Sequence, residues 1–140
     1  MSQPVRVLVV DDSALMRNLL AELINACDGM CCVGQAADPL QARESIRLLA
    51  PDVVTLDVEM PGINGIDFLK QLLPVHPIPV ILVSSLNLRV FDALEAGAVD
   101  FVRKPDEANG LSKEIFLSTL RSKLMVAAAS HVHLPSALTD

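Results

Sequence analysis

Asp52-Val53-Val54-Thr55-Leu56-Asp57-Val58-Glu59-Met60-Pro61-Gly62 is the stretch whose reading decides the fold. From Asp52 to Leu56 it is a short, almost continuous apolar run. That pattern fits a strand covered on both faces better than the alternation of a half-exposed one. The run ends in an acid, Asp57, and the chain then turns at Pro61-Gly62. A buried strand that delivers a carboxylate to its carboxyl end places that carboxylate at the rim of a sheet.

Working outward, the same sentence structure recurs. Val5 to Val10 is another apolar run, broken only by Arg6 and followed by Asp11-Asp12. Met16, Leu19, Leu20, Leu23 and Ile24 then fall at i, i+3, i+4, i+7 and i+8, one stripe of a helix. Ser13 stands at the N-cap position and Asp28-Gly29 marks a stop. Cys31 to Ala37 reads as a second strand. Asp38-Pro39 gives a cap with proline at the first helical position, and Ala42, Ile46 and Leu49 form an apolar face that Pro51 ends. After Pro61-Gly62, Asn64 or Gly65 opens a helix with Ile66, Leu69 and Leu73 on one side. Val80 to Val83 is a fourth strand. A short helix passes through Leu94 to Ala96, and Gly97 is placed for a left-handed cap. Val99 to Val102 is a fifth strand, and a last helix runs from Leu111 to about Ala128 with Phe116, Leu117, Leu120 and Leu124 inward.

Five strands alternating with helices predict an α/β fold, a (βα)5 doubly wound parallel sheet of flavodoxin-like order 2-1-3-4-5. The length of 140 residues suits one domain, residues 1–128, with 129–140 as the start of a linker. Hydrophobic residues make up 51% of the chain and aromatics only 3%, so the core is aliphatic. The formal net charge of −6 argues against nucleic-acid binding, which needs basic patches. No apolar stretch nears the roughly 20 residues that span a bilayer, and no signal peptide opens the chain, so no membrane insertion and a cytoplasmic location are expected. Cys27, Cys31 and Cys32 match neither a disulfide framework nor a zinc site, and read as small buried hydrophobes. His131 and His133 lack an acidic or cysteine partner and read as linker residues.

In a parallel sheet all strands end on one side, where ligands bind at the topological switch point. Four of these strands end in chemistry: Asp11-Asp12, Asp57, Ser84-Ser85 and Lys104. Each alone reads as a cap or a solvated strand end, but coincidence at four ends does not. Carboxylates gathered there repel, by about 4 kcal/mol for a pair at about 4 Å in an effective dielectric of about 20. A cation relieves that, and hard oxygen donors suit Mg2+. Lys104 and the Ser84 hydroxyl complete a cradle for a phosphoryl group carried on a carboxylate.

Val9-Val10-Asp11-Asp12-Ser13, Leu56-Asp57-Val58-Glu59-Met60-Pro61-Gly62, Val83-Ser84-Ser85 and Phe101-Val102-Arg103-Lys104-Pro105 together resemble the receiver family of two-component response regulators, over about residues 5–128. The resemblance implies that Asp57 is the phosphoacceptor. It implies that Asp12, Asp57 and the Glu59 backbone carbonyl hold Mg2+ directly, with Asp11 through water. Ser84 and Lys104 bind the phosphoryl group, and Phe101 changes rotamer as Ser84 moves. The bond from Lys104 to Pro105 is often cis in this family. More narrowly, Asp12-Ser13-Ala14-Leu15-Met16-Arg17, Val83-Ser84-Ser85-Leu86 and Gly97-Ala98-Val99-Asp100-Phe101 are similar to the N-terminal receiver of the chemotaxis protein-glutamate methylesterase. That implies a chemotaxis histidine kinase as phosphodonor and a C-terminal esterase domain as the regulated partner. The segment Leu86 to Asp92 is shorter than expected of that subfamily. Two other readings compete: a stand-alone receiver acting by protein contact, and a haloacid-dehalogenase-like phosphatase. The phosphatase motif takes Glu59 at plus two but usually needs Thr at plus four, where Pro61 stands, and leaves Asp11-Asp12 unexplained.

Overall fold

A computed structural model of the chain describes residues 3–60, 63–84, 94–105 and 112–138. Along the chain come β1 (Val5–Val10), α1 (Ala14–Ala26), β2 (Met30–Ala36), α2 (Pro39–Leu49) and β3 (Val53–Asp57). A two-residue hairpin of β4 (Glu59–Met60) and β5 (Ile63–Asn64) follows, then α3 (Gly65–Leu72), β6 (Val80–Ser84), β7 (Asp100–Arg103) and α4 (Lys113–Leu138). The main sheet has five parallel strands in the order β2-β1-β3-β6-β7, which is the expected 2-1-3-4-5.

Alternation along each strand sorts the core into two layers. Val7, Val9, Val53, Ile81 and Val83 meet Leu20 and Ile24 of α1 and Phe116, Leu120 and Leu124 of α4. Leu8, Val10, Val54, Leu56, Val80 and Leu82 meet Ala42 and Ile46 of α2 and Phe68, Leu69 and Leu72 of α3. Each fully buried aliphatic side chain contributes about 1.5–3 kcal/mol, so the central strands are fixed from both sides and their polar ends have one place to go.

The helix starts follow the predicted chemistry. Ser13 Oγ accepts from the Met16 amide at 3.2 Å, and Asp38 Oδ1 accepts from the Gln41 amide at 2.8 Å with Pro39 in the first turn. Gly97 adopts φ +112°, a backbone conformation that side-chain-bearing residues rarely adopt, so the position favours glycine.

Some expectations needed adjustment. The last helix continues to Leu138 rather than stopping near Ala128. The Ala127–Ala129 run favours propagation. All three cysteines are free but only half-buried. Among the described residues no peptide bond is cis, so the bond between Lys104 and Pro105 is trans. The Pro61-Gly62 turn, Ser85, the Leu86 to Asp92 segment and Leu111 lie outside the described residues; of the short helix expected through Leu94 to Ala96, Leu94 and Glu95 are helical.

Helix α2 ends at Ala50, which is exposed and holds φ 46°, ψ 60°. Pro51 disfavours a right-handed helical residue before it, and the Ala50 carbonyl accepts from Arg6 Nη1 at 2.8 Å. A Cβ in the left-handed region is strained. Ala50→Gly removes that strain without losing packing, and should raise unfolding stability by about 0.5–1 kcal/mol; a urea midpoint that fails to rise would contradict this.

Candidate functional site

The parallel register brings the polar strand ends together. Leu56 pairs with Val10 on one side and Leu82 on the other, so Asp11 and Asp57 emerge side by side at the carboxyl rim, with Ser84 one residue past Val83, the partner of Asp57. The Asp11 amide donates to Ala36 O at 3.0 Å, and the Lys104 amide donates to Ser84 O at 2.8 Å. These two bonds extend the ladders of β1 and β7 just far enough to hold both side chains over the sheet.

Asp11, Asp57 and Ser84 are buried, at 1%, 2% and 9% exposure. Asp12 is exposed. One carboxylate oxygen from each of Asp11, Asp12 and Asp57 lies within 4.8 Å of the others. Lys104 Nζ donates to Asp11 Oδ2 at 3.2 Å and to Asp57 Oδ1 at 3.3 Å. The Glu59 amide also donates to Asp57 Oδ1, at 3.2 Å, and the Ser13 amide donates to Asp11 Oδ1 at 2.9 Å. Ser84 Oγ donates to Glu59 Oε1 at 2.6 Å.

Electrostatics follow from this crowding. Burial pushes the Asp57 carboxyl up to about 6; Lys104 opposes the rise and the Asp11 carboxylate adds to it. Burial alone would lower the Lys104 ammonium, but Asp57 and Asp11 outweigh it and leave it raised. Three carboxylates facing one lysine leave a formal excess of two negative charges. The cluster is all oxygen, half-open through Asp12 and short of positive charge, which suits a hard divalent cation.

Of the residues expected at the site, Asp11, Asp12, Asp57, Glu59, Ser84 and Lys104 come together. Phe101 lies half-buried on the edge strand β7. Two contributors were not anticipated. Arg17 Nη1 donates to the Asp11 backbone carbonyl at 2.8 Å. Lys123 of α4 donates to Asp100 Oδ1 at 3.0 Å and to Phe101 O at 2.8 Å, and stands 5.1 Å from the Phe101 ring centre. Arg17 stands in the sequence at the end of the Asp12–Arg17 motif, one turn after the Ser13 cap, with no sign of the carbonyl it reaches. Lys123 reads there as one more solvated charge.

Residues 7–116 match the family model described as the response regulator receiver domain. The response regulator domain of Thermotoga maritima CheB superposes with TM-score 0.82 at 42% identity, over 91% of this chain and 98% of that one. A chain of the CheX-CheY-BeF3-Mg2+ complex from Borrelia burgdorferi does so with TM-score 0.72 at 30% identity, over 86% and 90%. A protein-glutamate methylesterase/protein-glutamine glutaminase of Albidiferax ferrireducens is 50% identical over 96% of this chain and 38% of its own length. That of Nitrosomonas europaea is 47% identical over 92% and 37%. The chain therefore spans less than two-fifths of the curated relatives it matches.

The raised Asp57 value has a consequence for stability without metal. Its ordinary value is 3.8 and its value in the fold about 6, so ionising it costs folding free energy as pH rises between the two. The cost is absent below about pH 4 and complete above about pH 6. Asp57→Asn carries no such cost. In chelator its stability gain over the unaltered chain should grow from near zero at about pH 4 to about 1–3 kcal/mol at about pH 7.5. Urea midpoints at the two pH values check this, and a variant no more stable at the higher pH would refute it.

Proposed function

The chain belongs to the response-regulator receiver family, and from that membership we propose that it accepts a phosphoryl group from a chemotaxis histidine kinase onto Asp57, with Mg2+ as cofactor. The observation that carries the reading is the Asp57 carboxylate itself: buried, facing Lys104, and flanked by two further carboxylates. An Asp57 carboxylate oxygen forms the new P–O bond as the donor's P–N bond breaks, and the donor imidazole leaves with the electron pair. Lys104 is within reach of the oxygens that gain charge, and Ser84 supplies a neutral donor beside them. Asp12, Asp57 and the Glu59 backbone carbonyl are the proposed direct Mg2+ ligands, with Asp11 through water. Bound there, the ion offsets the negative charge of the incoming group. The Borrelia complex, which contains BeF3 and Mg2+, supports this assignment.

The phosphorylated state carries about −1.5 to −2 of new charge. In the proposed switch Ser84 and Lys104 are drawn toward it, Phe101 turns inward behind Ser84, and the face around β7 and α4 is remodelled. The length and names of the curated relatives support a C-terminal methylesterase domain as the regulated partner. Residues 1–128 then form the receiver, and 129–140 begin the connection to that domain. Among the described residues no helix is long and apolar enough to cross a membrane, and a cytoplasmic site of action accords with the kinase partner.

Incubation with a small-molecule phosphodonor should add one phosphoryl group per chain by intact mass, only with Mg2+, and not in Asp57→Asn. Absence of the addition would sink the proposal, while continuous release of inorganic phosphate from a monoester would favour the phosphatase reading.

A further inference from the structure

The hydroxyl of Ser84 has a single proton to donate, and in this structure Glu59 has it. Ser84 Oγ lies 2.6 Å from Glu59 Oε1, in the short range of a hydroxyl bonded to a carboxylate, a bond roughly twice as strong as a neutral one. We propose that Glu59 is a latch on Ser84, a positioning residue that withholds the hydroxyl from Asp57 until a phosphoryl group arrives. The proposal rests on the phosphoacceptor reading of Asp57 and adds the residue that opposes the switch.

Both ends of the latch are fixed by backbone. The Glu59 amide is tied to Asp57 Oδ1, and Glu59 pairs with Asn64 in the β4–β5 hairpin. A Cβ on Gly65, where α3 begins, would meet Val58 Cα at 2.9 Å and Asp57 O at 3.2 Å, so the α3 terminus packs directly on the turn between Asp57 and Glu59. On the other side, Ser84 pairs with Arg103 and its carbonyl accepts from the Lys104 amide. Side chains alone can therefore make and break the contact. Glu59 is exposed while Ser84 is buried, so the carboxylate can leave toward water and the hydroxyl cannot.

That asymmetry makes the latch sensitive to its trigger. New negative charge on Asp57 repels the Glu59 carboxylate and offers Ser84 a second anionic acceptor, so the same event loosens one bond and rewards the other. Before that event, each chain with Ser84 held by Glu59 is withdrawn from the binding-competent population, which weakens apparent affinity by the competent fraction.

Beryllofluoride at saturating Mg2+ serves as the probe, with binding followed by 19F NMR or calorimetry because the chain has no Trp or Tyr. Glu59→Ala should bind about tenfold more tightly than the unaltered chain. Glu59→Gln, which keeps an acceptor oxygen without the charge, should fall between the two. In a Ser84→Ala background the gain from Glu59→Ala should shrink to nearly nothing, and in Ser84→Thr, which restores the hydroxyl, it should return. If Glu59 acted only by repelling the anion, Gln would equal Ala and the gain would survive in Ser84→Ala; either result, or no gain at all, overturns the latch. If the unaltered chain fails to bind the probe with Mg2+, the phosphoacceptor reading fails first and the latch falls with it.

Discussion

Lys104 stands between two buried carboxylates, 3.2 Å from Asp11 and 3.3 Å from Asp57, and the arrangement of the whole rim depends on that one cation. Without it, β1 and β3 would each bring a negative charge into the same low-dielectric corner. The fold reaches this solution through topology. β7 must lie beside β6, and the Lys104 amide must bond to Ser84 O, before the side chain can cross above β6 to reach Asp57. The charge balance at the site is thus a property of strand order, although its three participants are 46 and 47 residues apart in sequence.

The lysine does not complete the balance. Burial still leaves Asp57 up at about 6, well above an ordinary aspartate. That excess of negative charge is what the proposed Mg2+ would offset. The surrounding backbone supplies the rigidity that such a site needs. Gly65 lets α3 approach the turn after Asp57 more closely than any side chain would permit, and Arg17 grips the Asp11 carbonyl from α1. The crowded carboxylates are held in place by elements whose own cores are packed.

Much of this was legible in the sequence, for identifiable reasons. Hydrophobic runs located all five strands of the main sheet because both faces of the sheet are covered, and capping residues located the starts of α1 and α2 because orphan amides need specific partners. Asp11, Asp12, Asp57, Ser84 and Lys104 could be named because a parallel sheet sends every strand end to one edge, whereas Glu59 entered only through the resemblance to the receiver family. What escaped has a common cause as well. Asp57 and Ser84 are the last residues of β3 and β6, but hydrophobicity reports where a side chain faces, not where backbone pairing stops. The β4–β5 hairpin has too few residues to show a period. Lys123 and Arg17 act on backbone carbonyls, and a long cationic side chain gives no sign in sequence of which carbonyl it will reach. The continuation of α4 past Ala128 reflects helix propensity in a stretch where small polar residues suggested a linker.

The proposed switch is best understood as a contest between contacts of modest strength. In the present state Ser84 gives its proton to Glu59, and Phe101 sits under the Lys123 ammonium, which also bonds the Phe101 carbonyl. A half-exposed cation–π contact contributes about 0.5–1 kcal/mol, and a hydrogen bond to a charged group about 1.5–3 kcal/mol. Contacts of that size bias a population without locking it. New charge of about −1.5 to −2 on Asp57 acts at close range on Ser84, Lys104 and Glu59 together. A receiver held more firmly in the resting state would ignore its phosphoryl group, and one held less firmly would signal without it. The resting contacts at Ser84 and Phe101 have the magnitude that lets one covalent event decide the outcome.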